Sequence, residues 1–204
     1  MHVHAGLREF ARDLARRNIE AFNNAIGGGP LDAILTNAAG CGSTLKEYGR
    51  LLENDTAWSA KASGFAGKMR DVIEFLAEVG LVQELRPIPL AVTYQDSCHL
   101  AHGQKVRQQP RKLLNAVPAL KLVEMPLSDL CCGSAGIYNI TETKVAMQLL
   151  RSKMDAVNST GASIIATANP GCILQLRAGA KLYGSGQRVM HVLELLDAAS
   201  GQRG

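Results

Sequence analysis

The chain has 204 residues, 47% hydrophobic and 20% charged, so it is long enough for one sizeable or two small globular domains. The net charge of +4 is spread out, without a basic block interleaved with aromatic residues, so nucleic-acid binding is not indicated. The sequence has no apolar run of about eighteen residues, the length that a membrane span requires, and its N-terminus lacks an apolar signal segment. A cytoplasmic protein is therefore expected.

Hydrophobic periodicity predicts helices and strands that alternate along the chain. In chain order these are a helix over 7–22, a strand over 31–37, helices over 43–53 and 68–82, a strand over 90–95, a helix over 104–116, a strand over 120–125, a helix over 141–157, a strand over 163–168 and helices over 173–183 and 190–199. The glycines and proline at 27–30 are predicted to end the first helix, and the prolines at 87 and 89 mark a boundary. The alternation favours an α/β fold with largely parallel sheets.

The five cysteines are an odd number, which together with the expected cytoplasmic location argues against a disulfide framework. Cys41, Cys98 and Cys172 each come just after a predicted strand, and Cys131 and Cys132 are adjacent in a loop. Loops and helix N-termini converge at the carboxyl ends of parallel strands, and ligands bind there. Buried free thiols are the simpler alternative. The repeated placement nevertheless predicts a site.

A weak internal repeat divides the chain. Residues 16–23 (RRNIEAFN) resemble residues 151–158 (RSKMDAVN), and each segment precedes a strand and then a Gly-Cys pair. We therefore expect two related units, over 1–85 and 86–204. The first copy begins just after the point where its own cysteine pair should stand, which predicts that this unit is truncated at its N-terminus and the chain is a piece of a longer protein. His2 and His4 would flank that missing pair and are interpreted as residues of a solvated terminus.

Four thiols of the second copy, if brought together, suit a soft metal site. Cys98 and Cys131 are separated by 32 residues, and Cys132 and Cys172 by 39. Zinc sites of the ribbon or finger type use closely spaced Cys-x-x-Cys pairs, which are absent here. Adjacent cysteines bind one ion awkwardly but can bind two different irons of a cluster. An iron–sulfur cluster is therefore favoured over zinc.

Cys98, the Cys-Cys-Gly motif at 131–133 and the motif Asn-Pro-Gly-Cys at 169–172 resemble the cysteine-rich (CCG) domain shared by heterodisulfide reductases and their relatives. The family pattern ends in Cys-x-x-Cys, so Asn169 stands where this family has a cysteine, and Ala38 stands at the equivalent place in the first copy. Within the family, TNAAGCGSTLKEYG, DSCHLAHGQ and LCCGSAGIYNI are most similar to the iron–sulfur subunits of glycolate oxidases. The resemblance covers nearly the whole chain.

The resemblance implies an electron-transfer protein rather than the subunit that oxidises the substrate. Its cofactor would be an iron–sulfur cluster, [4Fe–4S] in type, on Cys98, Cys131, Cys132 and Cys172, with Cys41 serving the incomplete site of the first copy. FAD is expected only on a partner, the flavoprotein subunits of glycolate oxidase. Peripheral association with the inner face of the membrane would come through that complex.

Three alternatives stay open. The chain could be a lactate-utilisation or heterodisulfide-reductase-like subunit, a metal-free docking module, or a thiol redox protein that uses Cys131 and Cys132. His99 and His102 stand near Cys98 and could lower a thiol pKa, although their interpretation as polar residues at a helix start is preferred. Asn169 is interpreted as a cap or turn residue, and Gly40, Gly133 and Gly171 as glycines that allow close backbone approach.

Overall fold

The computed structural model describes residues 6–27, 29 and 31–201, so His2, His4, Gly28 and Pro30 lie outside the described residues. The described residues fall into two compact units. The first lies within Met1–Thr36 and Cys41–Asp71, and the second within Asn37–Gly40 and Val72–Gly204.

The first unit is built on a pair of short parallel strands and the helices that pack on them. Its elements are α1 (Arg8–Ala25), β1 (Ile34–Thr36), α2 (Ala39–Lys46), α3 (Tyr48–Leu51), α4 (Ser59–Lys68) and β2 (Met69–Asp71), with the first two residues of α2 assigned to the second unit. β1 pairs with β2 in parallel, Ile34 opposite Met69 and Thr36 opposite Asp71.

The core of the first unit is small and partly aromatic. Its buried residues are Ala15, Ile19, Ile34, Tyr48, Leu52, Ala62, Phe65 and Met69. The rings of Tyr48 and Phe65 stack at 5.6 Å, and Phe22 meets Phe65 edge-on at 5.3 Å. Ala15 and Ile19 are four residues apart and therefore lie on one face of α1, which packs on this core.

The second unit contains a four-stranded sheet with helices around it. Its elements are α5 (Val72–Val79), β3 (Ala91–Tyr94), a π-helical turn (His99–Gly103), α6 (Gln108–Asn115), β4 (Lys121–Leu122), α7 (Tyr138–Thr141), α8 (Thr143–Asn158), β5 (Ile164–Thr167), α9 (Pro170–Tyr183), β6 (Arg188–His191) and α10 (Val192–Ser200).

All four strands of this sheet are parallel, in the order β4-β3-β5-β6. The chain builds outward from β3 to β4 and then returns to place β5 on the other side of β3. This reversal makes the carboxyl ends of β3 and β5 the topological switch point of the sheet, where open α/β sheets bind ligands. Every residue of β5 is buried, as expected for a central parallel strand covered on both faces.

Two apolar clusters hold the second unit together. One includes Val92, Tyr94, Leu114 and Ile164 and extends under α5 and α10. The other joins Cys132 and Cys172 to Leu150, Met154 and Leu176, which are apolar residues of α8 and α9. The thiols are therefore anchored in a packed core on one side.

The predicted α/β class with parallel sheets is confirmed, while two predicted helices are corrected. The helix predicted over 68–82 is the end of α4, then β2, then α5, and the helix predicted over 190–199 begins with β6. Both strands are only three or four residues long and run directly into a helix, so the helical periodicity of the following residues obscured them.

The compact units differ from the division after residue 85 that the repeat suggests. Ile73 and Ala77 of α5 belong to the core cluster of the second unit. The repeat-based division is a statement about sequence copies and stays a prediction. In the described part of the chain, no helix combines the length and apolar character that crossing a membrane requires.

Candidate functional site

The structure brings four of the five cysteines together at the switch point of the second unit. Their thiols lie close enough to shift one another's pKa values, Cys98 with Cys131, Cys131 with Cys132 and Cys132 with Cys172. Cys98 and Cys131 are partly exposed, whereas Cys132 and Cys172 are buried. The site therefore has a solvent-facing end and an end inside the core.

Cys131 and Cys132 lie on a tight loop that requires glycine at its third position. Gly133 has φ +91°, and a Cβ at this residue would overlap the carbonyl oxygen of Ala146 in α8. The N–H of Gly133 donates to Cys131 Sγ at 3.3 Å. The loop can approach α8 this closely only because Gly133 lacks a side chain.

Cys172 is the third residue of α9, a helix that begins with Pro170. The partial positive charge of a helix N-terminus favours an anion at this position. Asn169 precedes the helix, and its side chain does not cap it. Instead, its Nδ2 donates to Cys172 Sγ at 3.6 Å and its Oδ1 accepts from the N–H of Gly40 at 3.1 Å. Asn169 is thus a sulfur neighbour as well as a link to the segment at 37–40.

Cys98 follows β3 after three buried polar residues. Ser97 Oγ lies 3.0 Å from Thr167 Oγ1, which donates to Gln95 Oε1 at 2.8 Å. The N–H of Ala168 also contacts Ser97 Oγ, at 3.4 Å. These hydroxyl contacts tie the end of β3 to the end of β5 and so fix the separation of the two strand ends that carry Cys98 and Cys172.

A buried ion pair holds the chain segment that leads into the cysteine pair. Arg111 binds Asp96 through two nitrogens, Nη1 to Oδ1 at 2.9 Å and Nη2 to Oδ2 at 2.8 Å. Ser128 Oγ donates to Asp96 Oδ2 at 2.7 Å, and the N–H of Asp96 donates to the carbonyl of Ser128 at 3.1 Å. Although burial opposes ionisation, the hydrogen bonds from Arg111 and Ser128 hold the pKa of Asp96 below its ordinary value.

Contacts around the sulfurs shift the pKa values of the four thiols in different directions. Hydrogen bonds from Cys132 and Cys98, together with the N–H of Gly133, lower the pKa of Cys131 to about 2. Hydrogen bonds from Cys132, Asn169 and Ser97 lower the pKa of Cys172. The pKa values of Cys98 and Cys132 are raised because each thiol donates to a sulfur neighbour and is desolvated. Cys131 is therefore a thiolate at neutral pH, and the Cys172 thiol ionises more readily than an ordinary cysteine; the thiolate is the form that binds soft metals.

Other predicted site residues are placed elsewhere or only beside the site. Cys41 is exposed and belongs to the first unit. His99 Nδ1 lies 3.6 Å from Cys98 Sγ. His102 instead contacts Arg107, whose Nη2 lies 2.8 Å from its Nδ1, and Asp129. Gly171 allows close approach, since a Cβ there would lie 2.9 Å from Ser134 Oγ, whereas a Cβ at Gly40 would make only ordinary contact, 3.4 Å from Asn169 Oδ1.

The donor set of this site fits an iron–sulfur centre. All four donors are sulfur, the pKa values of Cys131 and Cys172 are lowered, and a backbone N–H and a side-chain amide donate to these two sulfurs. In the part of the chain that the structure describes, no three histidine, cysteine, aspartate or glutamate side chains are arranged to hold a metal ion. The assignment of ligands therefore rests on the chemistry and convergence of the donors.

Two features of the site were missed from the sequence. The Asp96–Arg111 pair was missed because its partners are 15 residues apart, although a polar pair directly after a strand was a usable signal. Lys153 was missed although it occupies a position on the buried stripe of α8, between Leu150 and Val157. A lysine within an apolar stripe indicates a buried charge, which is uncommon unless the charge has a structural or functional role.

Comparisons with known proteins identify what the chain is similar to. The family model described as "Cysteine-rich domain" (CCG) matches residues 92–177. The chain is 42% identical over 207 residues to a "Probable glycolate oxidase iron-sulfur subunit" of Bacillus subtilis, covering all of this chain and 46% of that protein. It is 35% identical to the "Glycolate oxidase iron-sulfur subunit" of Escherichia coli, covering 97% of this chain and 46% of the relative.

A second group of relatives carries another name. The chain is 27% identical over 195 residues to "Lactate utilization protein A" of Geobacillus, covering 95% of this chain and 79% of that protein. The chain thus spans about half the length of the two glycolate oxidase subunits and most of the lactate-utilisation protein.

Proposed function

This chain belongs to the cysteine-rich (CCG) domain family, and from that premise we propose that it transfers electrons within an iron–sulfur subunit of a glycolate oxidase. The ligands of its cluster would be Cys98, Cys131, Cys132 and Cys172. The observation that carries the proposal is the convergence of these four thiols at the switch point of the sheet. A relative at 42% identity that is named for the same role supports it.

We propose a [4Fe–4S] cluster, since four sulfur ligands are its usual complement. When bound, such a cluster stores and releases one electron. The chain's own residues hold it in place: Gly133 lets the cysteine pair approach α8, the Asp96–Arg111 pair fixes the preceding segment, and Asn169 directs its amide at Cys172. The buried Cys132 and Cys172 would shield one side of the cluster from water, and the exposed side would face the partner.

The oxidation of the hydroxy acid is assigned to a flavoprotein partner that carries FAD. We propose that the complex acts in the cytoplasm, at the inner face of the membrane. With a cluster held by Cys98, Cys131, Cys132 and Cys172, this chain would pass electrons from the flavoprotein partner toward a membrane acceptor. Cys41 is proposed to serve the corresponding site of the first copy.

The test is the content of iron, acid-labile sulfide and zinc after anaerobic expression and reconstitution, with an EPR spectrum of the reduced protein. About four irons and four sulfides per chain, with a signal on reduction, are expected for one [4Fe–4S] cluster. A folded chain that takes up neither iron nor sulfide would contradict the proposal. A stoichiometric zinc content would assign the thiols to a structural metal instead.

A lactate-utilisation subunit is the second candidate, supported by the relatives named for that process, of which this chain covers most of the length. The two candidates differ in the flavoprotein or dehydrogenase partner and not in the thiol site. Affinity purification of the tagged chain from its native cell, followed by assay of the copurified complex with glycolate and with lactate, separates them. Turnover of lactate without turnover of glycolate would favour the second candidate.

A further inference from the structure

Lys153 is a buried lysine beside the thiol site. It lies on α8 and is only 3% exposed. Its Nζ donates to the carbonyl oxygen of Leu127 at 2.8 Å and to that of Ser128 at 3.2 Å. These two residues come three and four positions before Cys131. The ammonium group is therefore held against the segment that presents the cysteine pair.

The charge of Lys153 has no carboxylate partner of its own. Within the described residues, Lys153 forms no ion pair. The two carboxylates that act on Lys153 electrostatically are paired with arginines, Asp96 with Arg111 at 2.8 Å and Asp129 with Arg107 at 3.4 Å. Carbonyl dipoles alone compensate a buried ammonium poorly, so a nearby anion is needed to keep the charge inside the protein.

The thiolate of Cys131 is the remaining negative group near Lys153. Burial lowers the pKa of Lys153, the sulfurs of Cys132 and Cys131 oppose that shift, and the charge of Lys153 is one of the causes that lower the pKa of Cys131. The α8 backbone also contacts the same loop at Gly133. Charge and packing thus place Lys153 as a cation beside the loop that carries the cysteine pair.

The first copy of the repeat lacks this charge. The residue equivalent to Lys153 in the segment 16–23 is Asn18, which is neutral and donates to Tyr48 Oη at 2.7 Å. The neighbouring buried positions are otherwise equivalent: Ala15 and Ile19 in the first copy correspond to Leu150 and Met154 in the second. Of these two equivalent positions, only the one in the copy with four thiols carries a lysine.

We infer that Lys153 is a positioning residue that supplies the counter-charge of the sulfur-ligated centre and raises its reduction potential. This inference rests on the proposed function, since it concerns the cluster on the same cysteines. A reduced centre carries one more negative charge than the oxidised one. A fixed cation close to its ligands stabilises the reduced form more strongly, and the low dielectric of the interior preserves the effect.

The test compares the midpoint potential of the reconstituted wild-type chain with that of Lys153→Met, followed by EPR in a redox titration. At a given applied potential, the ratio of reduced to oxidised centre should fall about tenfold in the variant, which is about 59 mV for a one-electron couple. Lys112→Met is the matched control, because Lys112 also donates to a backbone carbonyl, that of Ala77, but lies away from the thiols. Lys153→Arg should restore most of the wild-type potential.

Further variants separate charge from structure. Lys153→Gln keeps N–H donors for the two carbonyls but removes the charge, so it should show the same shift as Lys153→Met. A wild-type potential in either neutral variant would overturn the inference. So would an equal shift in Lys153→Arg, since that result would mean that packing and not charge sets the potential.

Failure of the proposed function is distinguishable from failure of this inference. If the wild-type chain takes up no iron, Cd²⁺ titration of the metal-free protein, followed by thiolate-to-metal absorption, tests the charge on its own. About tenfold weaker Cd²⁺ binding in Lys153→Met, with Lys112→Met unchanged, would support the inference while the cluster proposal fails. Equal Cd²⁺ affinity in both proteins, or no Cd²⁺ binding by the wild type, would overturn it.

Discussion

The two segments related by the predicted repeat share a local plan, and within the described residues only the second gathers four thiols. In both, a helix leads to a strand, a Gly-Cys turn and, farther along, a second parallel strand followed directly by a helix: β1 and β2 in the first copy, β5 and β6 in the second. The residues at the second strand's end are also similar, DVIEFL at 71–76 and HVLELL at 191–196. The shared plan places one cysteine at the end of one strand.

What the second copy adds is β3, β4 and the loop after β4. β5 lies between β3 and β6 and is buried along its whole length, whereas β1 in the first unit exposes Leu35 to 46%. The added elements supply Cys98, Cys131 and Cys132, and Cys41 is the only cysteine within the residues of the first unit. The Gly-Cys turn thus supplies one thiol, and the neighbouring strand and its loop supply the other three.

The largest expected effect is on iron content. Cys131→Ser should lower the iron of the reconstituted chain from about four atoms to less than about one, because the serine hydroxyl is a poor ligand for iron in a cluster. Cys41→Ser, in the first unit, is the matched control and should leave the iron content unchanged. Iron and sulfide analysis of both variants checks this prediction, and equal iron in Cys131→Ser and wild type would contradict the ligand role of Cys131.

The next effect concerns the Asp96–Arg111 ion pair, which supports the segment that leads into the cysteine pair. Asp96→Ala should lower the free energy of unfolding by about 3 kcal/mol, because it leaves the Arg111 guanidinium buried with only part of its compensation. In the first unit the Arg16–Asp55 pair is more exposed, so Asp55→Ala should cost clearly less. Urea unfolding of the metal-free proteins measures both, and an equal loss would contradict the difference between the units.

The same pair predicts a pH dependence. The pKa of Asp96 is lower in the folded protein than its ordinary value, so the unfolded chain binds the proton more readily. The stabilisation is fully present above the ordinary pKa of about 3.9 and is lost as pH falls through the lower folded value. The free energy of unfolding of wild type should fall in that acid range more steeply than that of Asp96→Ala, which lacks this group.

A smaller effect is expected at the tight loop. Gly133→Ala should cost about 2 kcal/mol, because φ +91° is unfavourable for alanine and its Cβ would overlap the carbonyl of Ala146. Gly64 is an exposed helical glycine in α4 of the first unit with open space around it. Gly64→Ala should therefore stabilise by about 0.5–1 kcal/mol. Opposite signs in urea unfolding are the expected result, and a neutral Gly133→Ala would contradict it.

The smallest effect is at Asn169, where the first copy has Ala38. Asn169→Ala makes the second copy resemble the first and removes the contacts to Gly40 and Cys172, so it should cost about 1 kcal/mol. Urea unfolding of the metal-free chain gives this value. A stabilised variant would mean that the amide serves neither contact.

Much of the site could be predicted from the sequence because its parts are local. Each cysteine of the site follows a strand at short range or stands in a glycine turn, and the order of parallel strands then brings their ends to one edge. The pairing of Cys98 with Cys131 and of Cys132 with Cys172 agrees with that expectation. Arg107 and Asp129 engage the ring of His102, which agrees with its interpretation as a polar residue at a helix start rather than as a group acting on a thiol.

The amino-acid sequence alone indicates the α/β class and predicts the two-copy plan and the thiols of the site, since helical periodicity, strand-length apolar runs and cysteine spacing are all read within short windows. Only the tertiary structure decided that residues 69–71 and 188–191 are strands, that Asp96 binds Arg111 and that Lys153 faces the cysteine pair. A parallel strand is defined by hydrogen bonds to a strand distant in the chain, and a buried charge is defined by partners that arrive from other elements, so neither leaves a complete signature in its own segment.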